Sequence, residues 1–113
     1  MTSIFSKIVA REIPARIVFE DEHLIAFHDI APQASVHVVV VPKTEEFSTV
    51  TELAAANPSL LAEMVSRAAK IAAELSNGDY RLIFNSGESA GQTVFHVHAH
   101  VLSGDLDEGT LGR

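Results

Sequence analysis

The chain has 113 residues, room for one domain and no second core. Hydrophobic residues make up 47% and charged residues 20%, which excludes an acidic disordered chain, and the absence of cysteine excludes disulfides, thiolate zinc sites, iron–sulfur clusters and a cysteine nucleophile. Eight basic against fifteen acidic residues leave a formal net charge of −7, the wrong sign for a protein that grips nucleic acid through a basic surface, although local donors can still hold a small anion.

Residues 3–11 place Ile4, Phe5, Ile8 and Val9 at helical spacing, with Ser3 as the N-cap and Pro14 as the stop. Residues 15–20 and 23–27 read as two strands joined by a turn at Glu20-Asp21-Glu22. Residues 29–33 form a loop. Residues 36–41, Val-His-Val-Val-Val-Val, are β-branched and apolar at both parities, which predicts a central strand covered on both faces and ended by Pro42. Asn57 and Pro58 open the one long helix, whose apolar stripe is Leu61, Met64, Val65, Ala68, Ala72 and Leu75, widened by Ile71. Ser76-Asn77-Gly78 stops it. Residues 80–85 are a strand, 86–91 a loop of small residues, and 93–102 the last strand. Residues 103–113 are polar and read as a mobile tail. The order helix, three strands, helix, two strands predicts an α+β domain, residues 1–113, with a five-stranded, mostly antiparallel sheet, one long helix and one short N-terminal helix. No segment has the run of about 18 to 20 apolar residues needed to span a membrane, and the opening residues show no leader, so a soluble cytoplasmic protein is expected, with neither membrane nor nucleic acid as partner.

Three of the six histidines stand at 96, 98 and 100. Random placement of that composition yields roughly 0.02 such triplets in a chain of this length. Alternate residues of a strand share a face, so the three imidazoles point one way while Phe95, Val97, Ala99 and Val101 pack toward the long helix. A row of imidazoles has no task in a core and needs partners if it is buried. Two chemistries fit. Two of the three with His37 from a neighbouring strand could bind one metal ion, although a strand separates the outer pair by ~13 Å and no acidic or thiolate ligand has suggestive spacing. Alternatively a neutral imidazole attacks phosphorus, giving a covalent histidine intermediate that splits one displacement into two. The preceding loop, residues 85–93, supplies glycines, backbone amides and short polar side chains that could approach a phosphate, which favours the second chemistry.

His96-Val-His98-Ala-His100-Val-Leu102 resembles the His-x-His-x-His-x-x signature of the histidine triad (HIT) superfamily. Ile4-Phe5-Ser6-Lys7-Ile8, Glu12-Ile13-Pro14, the block from Phe27 to Gln33, the block from His37 to Lys43, Tyr80 to Asn85 and Gly91 to Phe95 resemble the Hint branch, the nucleoside phosphoramidases, across roughly residues 3 to 104. The resemblance implies an antiparallel sheet with a long helix, a homodimer with a sheet continuous across its interface, and hydrolysis of a phosphorus–nitrogen bond in a purine nucleotide without cofactor or metal. It implies His98 as the nucleophile toward the α-phosphorus, with His100 and His37 touching the phosphate or orienting the site. His96 would support His98 through its backbone carbonyl. Asn85, Gly91, Gln92 and Thr93 would meet the phosphate or the leaving group, and Asp29 the ribose hydroxyls. Ile4, Phe5, Ile8, Phe27 and Ile30 would wall the base. His23, His28 and Lys43 are expected at the surface. The common Gly-Gly-Gln step is Ala90-Gly91-Gln92 here, and the tail lacks the tryptophan and prolines of some relatives. The sequence leaves adenine against guanine, and amine against acyl leaving group, undecided. Alternatives within its reach are a purine nucleotide-binding protein that works through protein partners, a zinc-dependent hydrolase and a dinucleoside polyphosphate hydrolase.

Overall fold

The computed structural model describes residues 3–110. Five strands form one antiparallel sheet: β1 (Ile17–Glu20), β2 (Leu24–His28), β3 (Val36–Pro42), β4 (Arg81–Ile83) and β5 (Ala99–Ser103), in the spatial order β1-β2-β3-β5-β4. A short helix, α1 (Ile4–Val9), covers one face, and α2 (Val50–Ala56) with α3 (Pro58–Leu75) cover the other.

β3 lies in the middle of the sheet, as its composition predicts, and the two layers divide it residue by residue. Val38 and Val40 pack with Met64, Ala68, Ile71, Val97, Ala99 and Val101 beneath α3, while Val39 and Val41 pack with Phe5, Ile8, Ile25 and Phe27 beneath α1. A strand covered on one face only would alternate in polarity; a strand covered on both cannot. His37 belongs to the Val39 and Val41 side, so it emerges on the α1 face just where the sheet stops being apolar.

Several elements differ from the sequence reading. Helix α1 stops at Val9, five residues before Pro14, because Arg11 turns into the left-handed region (φ 64°) and its amide closes back on the Ile8 carbonyl. Helix α2 was absent from that reading. Thr49 caps it by accepting from the Glu52 amide, and Glu52 reaches back to the Ser48 amide, so the Thr-x-x-Glu spacing was its signal. The buried line of α3 runs through Leu60, Met64, Ala68, Ile71 and Ala72, whereas Val65 and Leu75 are 38% and 40% exposed. The expected start of α3 holds: the Asn57 side chain accepts from the Leu60 amide and Pro58 is the first residue of the helix.

The largest difference concerns the last strand. Only Ala99–Ser103 pairs in the sheet, and residues 93–98 run outside the ladder. Pro42 ends β3, and the chain beyond it takes over the pairing: the Val97 amide donates to the Phe47 carbonyl and the His96 ring reaches the Pro42 carbonyl. Phe95, expected in the core, is 52% exposed. Lys43, expected in solvent, is three-quarters covered and pairs with Glu20 at 2.7 Å. Of the expected tail, Ser103 is the last residue of β5, Arg81 donates to the Asp107 carbonyl at 2.7 Å, and Glu108–Thr110 form a 3-10 turn. Residues 111–113 lie outside the described residues. No helix among the described residues is long and apolar enough to cross a membrane.

The placement of α3 has a measurable consequence. Ile71→Ala removes a fully buried side chain between helix and sheet and is expected to cost about 2–5 kcal/mol in urea unfolding. Val65→Ala on the outer face of the same helix is expected to stay within about 0.5 kcal/mol of the parent. Equal losses at both positions would overturn this orientation of the helix.

Candidate active site

A cavity of about 470 Å³ opens on the α1 face of the sheet, within the usual range for a small-molecule site. Helix α1 contributes Phe5 and Ile8 to one wall, and Phe27 of β2 and Val39 of β3 contribute to the floor. Asp29, Asn85, Gly91, Thr93, His98 and His100 line the polar end. Phe5 stands edge-on to His98, with ring centroids 4.9 Å apart, and 5.7 Å from Phe27, so an apolar slot abuts the histidines directly. Among the described residues no lysine or arginine lines the cavity.

The loop that closes the polar end is a 3-10 turn, Glu88–Ala90, held between Gly87 (φ 96°) and Gly91 (φ 94°). A β-carbon at either glycine would meet no atom within 4 Å, so the requirement there is conformational and not steric. Ala90 is exposed with an ordinary backbone, so its methyl does not disturb the loop.

Hydrogen bonds fix where each imidazole carries its proton. The His96 ring is buried, and its Nε2 lies 2.7 Å from the Pro42 carbonyl, which can only accept, so Nε2 bears the proton. Its Nδ1 then accepts from the Ser3 hydroxyl at 2.6 Å. The His96 carbonyl accepts in turn from His98 Nδ1 at 2.8 Å. In a neutral ring that donation leaves the lone pair on Nε2, facing the cavity that His98 lines. A second chain runs beside the first. The Gln33 amide donates to His37 Nδ1 at 3.0 Å, which puts the His37 proton on Nε2. His37 Nε2 donates to His100 Nδ1 at 2.9 Å, leaving His100 with its proton on Nε2. The site therefore presents one bare nitrogen and one N–H from two adjacent rings whose centroids are 5.1 Å apart.

Burial favours the neutral form of His37, His98 and His100. It is the main cause lowering the pKa of His37 and of His98, with the hydrogen bond from His98 to the His96 carbonyl acting in the opposite sense. His100 is lowered furthest, from 6.5 to about 4, by burial first and then by the neighbouring His98 and His37. A neutral imidazole with a positioned lone pair is a nucleophile; an imidazolium is not.

Residues 2–113 match the family described as the scavenger mRNA decapping enzyme C-terminal binding domain. The chain is 42% identical over 104 residues to the purine nucleoside phosphoramidase of Escherichia coli K12, covering 90% of this chain and 87% of that protein. It is 48% identical over 106 residues to a HIT-like protein of Synechocystis, covering 90% of each. A HIT family hydrolase of Clostridium thermocellum superposes with a TM-score of 0.86 at 44% identity, over 96% of this chain and 94% of the other. One from Legionella pneumophila gives 0.85 at 41% identity, over 93% and 95%. The chain belongs to the histidine triad family.

With this HIT-family hydrolase the sequence-derived site residues can be placed one by one. Ile4, Phe5, Ile8, Phe27, Asp29, Asn85, Gly91, Thr93, His98 and His100 line the cavity. Ile30 reaches only its rim and is 97% exposed. Asp29 has one oxygen committed, since Oδ1 accepts from the Ala31 amide at 2.8 Å, while Oδ2 lies 3.5 Å from His37 Nε2. His37 and His96 stand behind the cavity wall as partners of His100 and His98. Gln92 departs from its expected role: it is buried, its Oε1 accepts from the Gly87 amide, and its Nε2 donates to the Ser48 and Val94 carbonyls. An amide with both ends so committed has no hydrogen bond left for a phosphate; Gln92 holds the loop. His28, expected at the surface, lines the cavity instead, with Ile13, Pro14, Ala15 and Val94, which the sequence reading did not single out. The approach of Ile13 to Ala15 follows from the early end of α1, which no periodicity announces.

Asp29, His37 and His100 each offer a ligand atom within 4.8 Å of the others, a grouping that sequence spacing did not suggest because Asp29 reaches it from the loop between β2 and β3. The Gln33 amide occupies the Nδ1 lone pair of His37, so the atom facing the group is an N–H. A cation there would have to displace that proton, either to give an imidazolate or by moving it to Nδ1 at the cost of the hydrogen bond from the Gln33 amide. The arrangement suits a shared proton better than a metal ion.

The lowered pKa values carry a sign. A ring whose folded pKa lies below 6.5 binds fewer protons than in the unfolded chain, so the stability it contributes is present above pH 6.5 and is lost as pH falls toward about 4. In a titration followed by histidine ring NMR, His100 is expected to remain neutral at pH 6, and His37 and His98 to protonate at lower pH than a free imidazole. The exposed His23, raised by Glu63, is expected to be mostly protonated at pH 6. Protonation of His98 and His100 at the same pH as a free imidazole would contradict this account of the site.

Proposed function

We propose that the protein hydrolyses purine nucleoside 5′-phosphoramidates or acyl nucleotides to the nucleoside monophosphate through a nucleotidyl intermediate on His98. The observation that carries the reading is the donation from His98 Nδ1 to the His96 carbonyl, which leaves the Nε2 lone pair beside an apolar slot wide enough for a base. The likeness to the E. coli phosphoramidase supports the substrate class.

In this reading the base lies between Phe5, Ile8 and Phe27, and Asp29 Oδ2 accepts from the ribose. His98 Nε2 forms a bond to the α-phosphorus as the bond to the leaving amine or acylate breaks; an acylate leaves as the anion, and an amine takes a proton from solvent water as it departs. The ring then carries positive charge, which its hydrogen bond to a carbonyl stabilises. The phosphoryl oxygens meet the His100 Nε2 proton and Asn85, neutral donors that act where charge develops. Water then cleaves the phosphorus–nitrogen bond to His98 and frees the monophosphate.

We further propose that two chains join through β4. It is the last strand of the sheet, and among the described residues its outer edge pairs with no strand; an open edge invites another chain. Light scattering on the purified protein tests this, and a monomer at working concentrations would refute it.

For the chemistry, metal-stripped wild type and His98→Ala are mixed with an adenosine phosphoramidate and quenched early for intact-mass analysis. Wild type is expected to release adenosine monophosphate and to show a transient nucleotidyl adduct. His98→Ala is expected to form no adduct and to retain less than about a thousandth of the rate. Turnover by the variant at the parental rate would remove His98 from this role. Monophosphate binding without turnover by wild type would replace the enzyme with a nucleotide-binding protein.

A further inference from the structure

The buried His96 ring touches neither cavity nor solvent, yet both its nitrogens are engaged by groups from distant parts of the chain. Ser3, at the start of α1, donates to Nδ1 across 93 positions of sequence, and Pro42, at the end of β3, accepts from Nε2. Ser3 is itself held. Its hydroxyl oxygen accepts from the Ser6 amide at 3.1 Å, the Ser6 hydroxyl donates to the Glu45 carboxylate, and that carboxylate also takes the Ser3 backbone amide. We propose that Ser3, Ser6 and Glu45 form a hydrogen-bonded clasp on His96 that orients His98, making Ser3 a positioning residue for the reaction.

The proposal rests on the reading of His98 as nucleophile. Its physical content is a single line of contacts. The His96 carbonyl decides which nitrogen of His98 holds the proton, and the His96 side chain is one of two anchors of the peptide that carries this carbonyl, the other being the Val97 amide's bond to the Phe47 carbonyl. Residues 93–98 lie outside the ladder, so the peptide is held by the Val97 bond on one side and by the two hydrogen bonds of the His96 ring on the other. Without the Ser3 hydroxyl, Nδ1 of a ring 2% exposed has no partner. A buried unpaired acceptor drives the ring to turn or to admit water, and the carbonyl moves with it. The same clasp ties α1 to the triad. Phe5 on that helix stacks edge-on to both His96 and His98, so wall and nucleophile share one anchor.

Ser3 also caps α1, and that role has to be separated from the clasp. Glycine still caps helices but offers no hydroxyl, and threonine offers both. The experiment compares wild type with Ser3→Ala, Ser3→Gly and Ser3→Thr, in steady-state kinetics with an adenosine phosphoramidate and in 15N NMR of the His98 ring. Ser3→Ala and Ser3→Gly are expected to lower kcat between about tenfold and a hundredfold, the scale of a small misplacement of a reacting group. Their KM should stay within about twofold, since loss of the base wall alone would raise KM and spare kcat. Their His98 spectra should show protonation shared between Nδ1 and Nε2, where wild type holds it on Nδ1. Ser3→Thr is expected to restore both readouts. A wild-type His98 spectrum in Ser3→Ala and Ser3→Gly would overturn the clasp, whatever happens to the rate. Because the spectrum needs no substrate, an inactive wild type would refute the functional reading while the clasp is still judged on the ring nitrogens.

Discussion

One hydrogen bond, from His98 Nδ1 to the His96 carbonyl, decides what this site can do. An imidazole is ambidextrous: either nitrogen can carry the proton, and only the bare one attacks. A backbone carbonyl has no proton to give and cannot reverse its role, so it selects the tautomer without ambiguity. The rest of the structure serves that contact. The sheet holds His100 beside His98, the Pro42 carbonyl and the Ser3 hydroxyl hold His96, and α1 lays Phe5 across both rings.

The second consequence is a cavity lined by neutral imidazoles without a fixed positive charge among the described residues. The chain carries a net charge of −7, and among the described residues no lysine or arginine lines the cavity. Burial lowers the pKa of His37, His98 and His100 together, and the rings sit close enough that charge on one discourages charge on the next. Neutrality preserves the nucleophile. A cationic neighbour would bind a phosphate more tightly, but ground state and transition state would share that gain. Neutral N–H donors strengthen as charge develops.

The backbone around the site is irregular where the chemistry is and regular where it is not. β3, β5 and α3 are tightly packed, with Val38, Val40, Ala99, Val101 and Ile71 fully buried. The polar end is built from segments outside the ladder: the loop after β2, the glycine-flanked turn and residues 93–98. Gln92 shows how such a segment is kept in place. Its one buried amide joins the turn, the segment before α2 and its own strand approach through three hydrogen bonds. A rigid scaffold carrying positioned loops is the common solution for sites of this kind.

The amino-acid sequence by itself determined the class of fold and the row of histidines that the cavity is built around. Alternation at 96, 98 and 100, valines at both parities in β3, and the Asn57-Pro58 start of α3 are local signals that tertiary contacts did not override. The tertiary structure alone decided the rest. That Asp29 joins His37 and His100, that Gln92 faces inward and His28 toward the cavity, and that the last strand begins only at Ala99 all depend on neighbours far along the chain. The proton on each imidazole depends on them most. Spacing can put three rings on one face, but which nitrogen of each ring is bare is set by a serine 93 residues away, a proline carbonyl and a loop amide. Sequence periodicity describes a residue's direction relative to its own backbone; hydrogen-bond polarity is a property of the partners it meets.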